Sequence, residues 1–315
     1  MNQEKSLYPL RFSPLIDVYP WGEEEFALAD LGYRDTPVVG GWLGGNGFDD
    51  IMETYMDRLV GESVYDYTGR QFPVCVRVLH INGKLPFQVH PDDTLASQRY
   101  DFLGKEKLWY VLEAGPGSLI YTGFKQDCNA SDFIAACGDG SLETLLNGRA
   151  ARKGQVIHIA PGTPHGACGK LTILEIAESS PLDFCLSEAP QGQFESSLNP
   201  IEALDFIDFT AWKEDSAQIE QFRFDVVELS RPLDIDLPEN DTFILYYCLR
   251  GKALLQGGGQ DYEIKKRELL LLPAELDSYT LTPLEEGTLL ARVMMRENKP
   301  LDSYLLNPKN QNGNS

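Results

Sequence analysis

Short apolar runs rich in Val, Ile, Leu, Tyr and Phe, each closed by Gly, Pro, Asn or Asp, recur along this chain and leave it few ways to fold. They occupy residues 72–81, 108–112, 119–122, 155–160, 171–177, 243–249, 252–256 and 268–272. Runs of that length with turn residues between them predict an all-β sandwich or barrel. Two stretches read differently. In 48–60, Ile51, Met52, Tyr55, Met56, Leu59 and Val60 fall at helical spacing, and Gly61 suits the stop. Residues 132–146 read as two short helices broken at Gly138-Asp139-Gly140.

The β pattern repeats. Residues 109–121 (WYVLEAGPGSLIY) followed by 154–165 (GQVIHIAPGTPH) have a counterpart in 246–256 (YYCLRGKALLQ) followed by 267–277 (RELLLLPAELD). Each copy gives strand, Gly-containing turn, strand and a buried strand that ends in Pro. Two jelly-roll β-barrel domains would produce this. The expected fold is therefore all-β dominated, with a small helical N-terminal part and a helical insertion. The expected domains are 1–190, an N-terminal segment plus first barrel; 191–225, a linker; 226–306, a second barrel; and 307–315, a tail. All four histidines fall before residue 166, so the second copy reads as structural support.

Charge narrows the function. The 27 basic and 48 acidic side chains leave a formal charge of −21, which argues against nucleic acid or an anionic membrane as partner. It leaves room for one phosphate in a local basic pocket. No apolar run reaches the ~18 residues of a membrane span, and the opening MNQEKSLYPLRF lacks the apolar stretch of a secretion signal. Six scattered cysteines without a C-x-x-C pair read as reduced thiols. The expected location is cytoplasmic. The acidic stretch Glu23-Glu24-Glu25 reads as a solvated face.

Chemistry concentrates in two segments. In Gln88-Val89-His90-Pro91-Asp92-Asp93, residues two apart share a strand face, so Gln88 and His90 point the same way. The turn Pro161-Gly162-Thr163-Pro164 delivers His165 to a strand mouth. Two histidines and an amide oxygen are plausible zinc-type ligands, or, on the plainer reading, hydrogen-bonded core residues. His158 is one step off the parity of His165 and reads as structural, as does His80. The glycine-rich 40–47 lacks the Lys-Ser/Thr of a phosphate loop and reads as a surface loop.

QVHPDD, then GK-x-x-x-WYVL, then the helical insertion and PGTPH-x-x-CG, resemble the type I mannose-6-phosphate isomerases, zinc-dependent enzymes of the cupin superfamily. PLRFSP at 9–14 with Trp21-Gly22 is similar to that family's opening, and coverage of nearly the whole chain is closest to its short bacterial form. The resemblance implies an aldose–ketose isomerisation between mannose 6-phosphate and fructose 6-phosphate. It implies zinc held by Gln, His, Glu and His, with an Arg where negative charge develops. Gln88, His90 and His165 match three of the ligands, and Lys105 matches a family lysine whose role stays unassigned here.

Two positions depart from that pattern. Where the family carries its ligand Glu, in G-K-x-E-x-W, this chain reads Gly104-Lys105-Glu106-Lys107-Leu108-Trp109 and places Lys107. Glu106 is one residue off and by strand parity faces the other way. Where the family carries its Arg, after residues 171–180, this chain has Cys185. The expectation is a protein that binds a sugar or sugar phosphate, with Lys107 as a substrate-binding cation or as the partner of an acidic neighbour. Isomerase activity is expected to be weak or absent, and zinc lost or weakly bound. The alternatives are an active isomerase with a rearranged metal site, for instance through a bulge presenting Glu106, and a structural or regulatory module.

Overall fold

The computed structural model describes residues 5–187, 200–213, 219–237 and 241–296. The expected linker at 191–225 lies partly, and the expected tail at 307–315 wholly, outside those residues. Up to residue 187 the elements are β1 (Arg11–Phe12), β2 (Leu15–Tyr19), β3 (Gly22–Leu28), β4 (Val38–Val39), α1 (Phe48–Val60), α2 (Glu62–Thr68) and β5 (Val74–Val89). There follow α3 (Asp93–Tyr100), β6 (Lys107–Ala114), β7 (Leu119–Phe124), α4 (Ala130–Asp139), β8 (Leu146–Ala150), β9 (Val156–Ile159), β10 (His165–Glu178) and β11 (Phe184–Cys185). Contacts divide the chain into two units. One is Leu15–Phe26 with Val74–Ile219, and the other is Met1–Pro14, Ala27–Pro73 and Glu220–Ser315. No helix among the described residues is long and apolar enough to cross a membrane.

In the first unit the antiparallel order is β2-β3-β5-β10-β6-β9, with β11 on β5 and β7 on β10 and β8. The two longest strands, β5 and β10, run side by side and carry most of the barrel. Alternation sets which side chains they turn inward. Leu79 and Ile81 of β5, Trp109 and Val111 of β6, and Leu171 and Ile173 of β10 meet Trp21, Ile157 and Ile159 in one apolar cluster. A second cluster joins Phe87, Val89, Tyr121 and Phe184 to Phe133 and Ala136 of α4. The Asn129 side chain caps α4 by accepting from Asp132 N at 2.9 Å, and Gly140 ends it in the left-handed region. Gly22 permits the close approach of β3 to β5: at φ +145°, a Cβ there would stand 1.9 Å from the His80 carbonyl oxygen.

The second unit holds two four-stranded antiparallel sheets. One pairs β12 (Phe222–Leu229), β14 (Ile244–Arg250), β17 (Leu269–Leu272) and β19 (Thr288–Met295). The other pairs β13 (Leu233–Asp236), β15 (Lys252–Gly257), β16 (Gln260–Lys265) and β18 (Ser278–Pro283). Helices α1 and α2 belong to this unit, and so does the β1–β4 pair, which leads into a bridge between Leu10 and Leu271. The helix expected over 48–60 is present, with its turn irregular at Met56 (φ +44°) and its end at Gly61.

Candidate functional site

Strand register assembles the site. Gln88 lies opposite His165 across β5–β10 and opposite Cys185 across β5–β11. Cross-strand partners share a face, so Cys185, Gln88 and His165 form one row. One bulge matters here: His165 faces Gln88 while Ala167 faces Leu85, so the extra residue on β5 keeps Gln88 on the inner face with Leu85. On the inner face further along, Arg77 lies opposite Glu175, and Glu175 lies opposite Trp109. Lys107 is two residues before Trp109 and points inward with it.

The imidazoles are held from behind. His90 Nδ1 is 2.9 Å from the Leu182 carbonyl oxygen and 3.3 Å from Asp183 Oδ1, and His165 Nδ1 is 2.9 Å from the Thr163 carbonyl oxygen. Carbonyl acceptors fix the proton on Nδ1, which leaves each Nε2 as a bare lone pair. Both Nε2 atoms are buried and have no hydrogen-bond partner among the described residues. The rings lie 5.0 Å apart, and Trp109 stands edge-on to His165 at 5.5 Å. Burial, reinforced by the Lys107 charge, pushes His165 down to about 3 and His90 well below the usual imidazole range.

Lys107 fills the place between these groups and the carboxylates. Completely buried, its Nζ stands 3.5 Å from Gln88 Oε1, 3.5 Å from Glu175 Oε2 and 3.7 Å from Asp183 Oδ1. From it an alternating chain of charges runs both ways. Glu175 Oε1 accepts from Arg77 Nε at 2.7 Å, and Arg77 also binds Glu24; Glu175 Oε2 accepts from Trp109 Nε1 at 2.7 Å. On the other side, Asp183 accepts from Lys105 Nζ at 2.8 Å. Formally, Arg77, Lys105 and Lys107 cancel Glu24, Glu175 and Asp183. Burial alone would raise the Glu175 and Asp183 carboxyls, but Arg77 and Lys107 hold Glu175 at about 2, and Lys105 and Lys107 hold Asp183 well below the usual range. Lys105, 3% exposed, is lowered by burial against the pull of Asp183.

The structure thus brings Gln88, His90, Lys105, Lys107, His165 and Cys185 to one region of the barrel. Glu106 goes elsewhere. The ladder from Lys107 to Tyr110 pairs with β9 and from Lys107 to Trp109 with β10 without a bulge, and the Glu106 carboxylate meets His158 Nε2 at 2.5 Å. The sequence reading overlooked Arg77, Glu175 and Asp183, and it misplaced Glu24. That residue is buried and ion-paired rather than solvated, because its place on β3 sets it against the Arg77 guanidinium. The available signal was parity: Arg77 and Glu175 are charged residues at inward positions of otherwise apolar strands. Arg77→Leu would leave Glu24 and Glu175 buried without their main cation. A loss of about 3–5 kcal/mol in urea unfolding is expected; a loss under about 1 kcal/mol would mean the carboxylates do not depend on it.

The first unit is thus an antiparallel barrel with an inward histidine–glutamine row, and the second unit carries no histidine. The sequence model of the family described as "Mannose-6-phosphate isomerase, cupin domain" matches residues 214–290. Mannose-6-phosphate isomerase ManA of Bacillus subtilis is 22% identical over 308 residues, covering 87% of this chain and 95% of the relative. The mannose-6-phosphate isomerase of Streptococcus mutans is 24% identical over 225 residues, covering 66% and 70%. A crystal structure of the B. subtilis mannose 6-phosphate isomerase superposes with a TM-score of 0.76 at 17% identity, covering 91% of this chain and 99% of that one. The chain is similar to mannose-6-phosphate isomerases along most of its length and shares their fold, and its second barrel matches the model of their cupin domain.

Proposed function

We propose that the first barrel binds a sugar or sugar phosphate and does not run the zinc-dependent interconversion of mannose 6-phosphate and fructose 6-phosphate. One observation carries this reading: the buried Lys107 ammonium stands among Gln88, Glu175 and Asp183. Two imidazole nitrogens and an amide oxygen are suitable donors for zinc. The residues present nevertheless do not fit a bound zinc ion. A divalent ion would enter a cluster whose formal charges already cancel and would face a fixed ammonium. The open end of the cluster is formed by the partly exposed Asp183 and Gln88, an acceptor and an amide suited to sugar hydroxyls.

The test is a coupled mannose 6-phosphate assay on folded protein with and without added zinc, together with metal content after zinc incubation and desalting. Expected are no zinc-stimulated turnover and less than one zinc per ten chains. Retained stoichiometric zinc with turnover at ~1–1000 per second would overturn the proposal in favour of a rearranged metal site.

A further inference from the structure

Three groups converge on one oxygen of Asp183. Lys105 Nζ at 2.8 Å, His90 Nδ1 at 3.3 Å and Lys107 Nζ at 3.7 Å all face Oδ1, and Oδ2 has no partner among the described residues. Gln88 is divided in the same way. Its Oε1 faces Lys107 at 3.5 Å, and its amide Nε2 has no partner among the described residues. The open end of the cluster therefore offers one carboxylate oxygen and one amide donor to an incoming molecule. We propose that this pair selects an uncharged sugar or polyol, held by two adjacent hydroxyls, over its phosphate ester, a choice that rests on the sugar-ligand reading above and narrows it.

Hydrogen-bond chemistry sets the choice. Asp183 Oδ2 only accepts and the Gln88 amide nitrogen only donates. Two adjacent hydroxyls satisfy both, one donating to the carboxylate while its neighbour accepts from the amide. Behind them the Nε2 atoms of His90 and His165 are two more acceptors without a hydrogen-bond partner among the described residues. A polyol brings a donor with every oxygen. A phosphate group at neutral pH brings acceptor oxygens and almost no donors, so of these groups it suits the amide alone.

Charge works in the same direction. Asp183 is the most exposed charged side chain of the cluster, at 19%, against 4% for Lys105 and 0% for Lys107. An arriving molecule meets this carboxylate first, and the cations behind it are already turned to Glu24, Glu175 and Asp183. Cys185, which lies opposite Gln88 in the same row, is a thiol and supplies no cation. In a chain of formal charge −21 a phosphate is repelled both at the mouth of the site and at longer range.

The experiment is calorimetric titration of the full chain with mannose, fructose and mannitol, and with the 6-phosphates of the two sugars. It is run at low and high salt, about 20 and about 300 mM, where the screening length falls from roughly 20 to roughly 6 Å. An uncharged compound is expected to bind about tenfold or more tighter than either phosphate. Its affinity should not change with salt, whereas the weak binding of the phosphates should strengthen. Asp183→Asn should weaken the uncharged ligand about tenfold, the loss of one charge-assisted contact, and narrow the gap to the phosphate. Gln88→Met should weaken it about fivefold, and it tests the mouth even where Asp183→Asn fails to fold. A phosphate that binds as tightly as its parent sugar, or more tightly, would overturn the selection and leave the sugar-ligand reading intact. Uncharged binding unaltered in both variants would overturn the assignment to Asp183 and Gln88. No binding of any of these compounds would refute both the selection and the sugar-ligand reading.

Discussion

Lys107→Glu is expected to raise the zinc affinity of this protein by several orders of magnitude. The wild-type cluster is formally neutral, three cations against Glu24, Glu175 and Asp183. Exchanging Lys107 for a carboxylate leaves two cations and four anions, a deficit of two charges that a divalent ion restores. Its two neutral imidazoles and amide are already in place, with both Nε2 atoms buried and without a hydrogen-bond partner among the described residues. At an effective dielectric of about 20, a unit-charge pair at ~4 Å is worth roughly 4 kcal/mol, or about three decades of affinity. The exchange removes one such repulsion and adds one such attraction, each felt by a double charge and each reduced by relaxation.

Two measurements follow the change. Zinc titration against a competing chelator should separate Lys107→Glu from wild type by at least three decades. Lys107→Gln, which removes the charge without adding a ligand, should fall between them. The metal-free Lys107→Glu protein should also be less stable than wild type, since it buries uncompensated carboxylates, and zinc should raise its melting temperature with the logarithm of the free zinc concentration above Kd. Equal zinc affinities in wild type and Lys107→Glu would show that the ammonium does not exclude the metal.

The sequence reading reached the β architecture and the convergence of Gln88, His90 and His165 because both depend on short-range pattern. The runs at 108–112, 119–122 and 244–250 announce strands by composition, and QVHPDD with PGTPH places Gln88, His90 and His165 by alternation alone. The parity that set Glu106 on the far face held because Lys107 and Trp109 stay in register with β9 and β10. What escaped was pairing between distant segments. Glu24 looks solvated within EEE until β3 is laid near β5, where its neighbour is Arg77, 53 positions on. Asp183 sits in a turn-like PLDF segment and gains meaning only when that segment passes His90, Lys105 and Lys107. A charge inside an apolar strand says that a partner exists. It does not say where along 315 residues that partner lies.

Acid should destabilise this protein through His165 before its paired carboxylates titrate. In the folded chain His165 is held at about 3 by burial and by Lys107, whereas an unfolded chain takes its proton near 6.5. Between those values the unfolded state binds a proton that the folded state refuses. Stability therefore falls as pH falls through that window, by up to about 1.4 kcal/mol per pH unit. His90, also held well below its usual range, acts in the same direction. Glu175, lowered to about 2, adds a further loss only below about 4.5. Glu178 and Glu24 work against the histidines. Burial raises both carboxyls, so each favours the folded state as acid is added above 4.5. The His165→Gln variant isolates the one group, because the opposing carboxylates stay in both proteins. From pH 6.5 to 4.5, wild type should lose about 2–3 kcal/mol more in urea unfolding than His165→Gln. Parallel stability curves over that range would mean that His165 accepts its proton in the folded barrel, and that the Lys107 charge does not reach it.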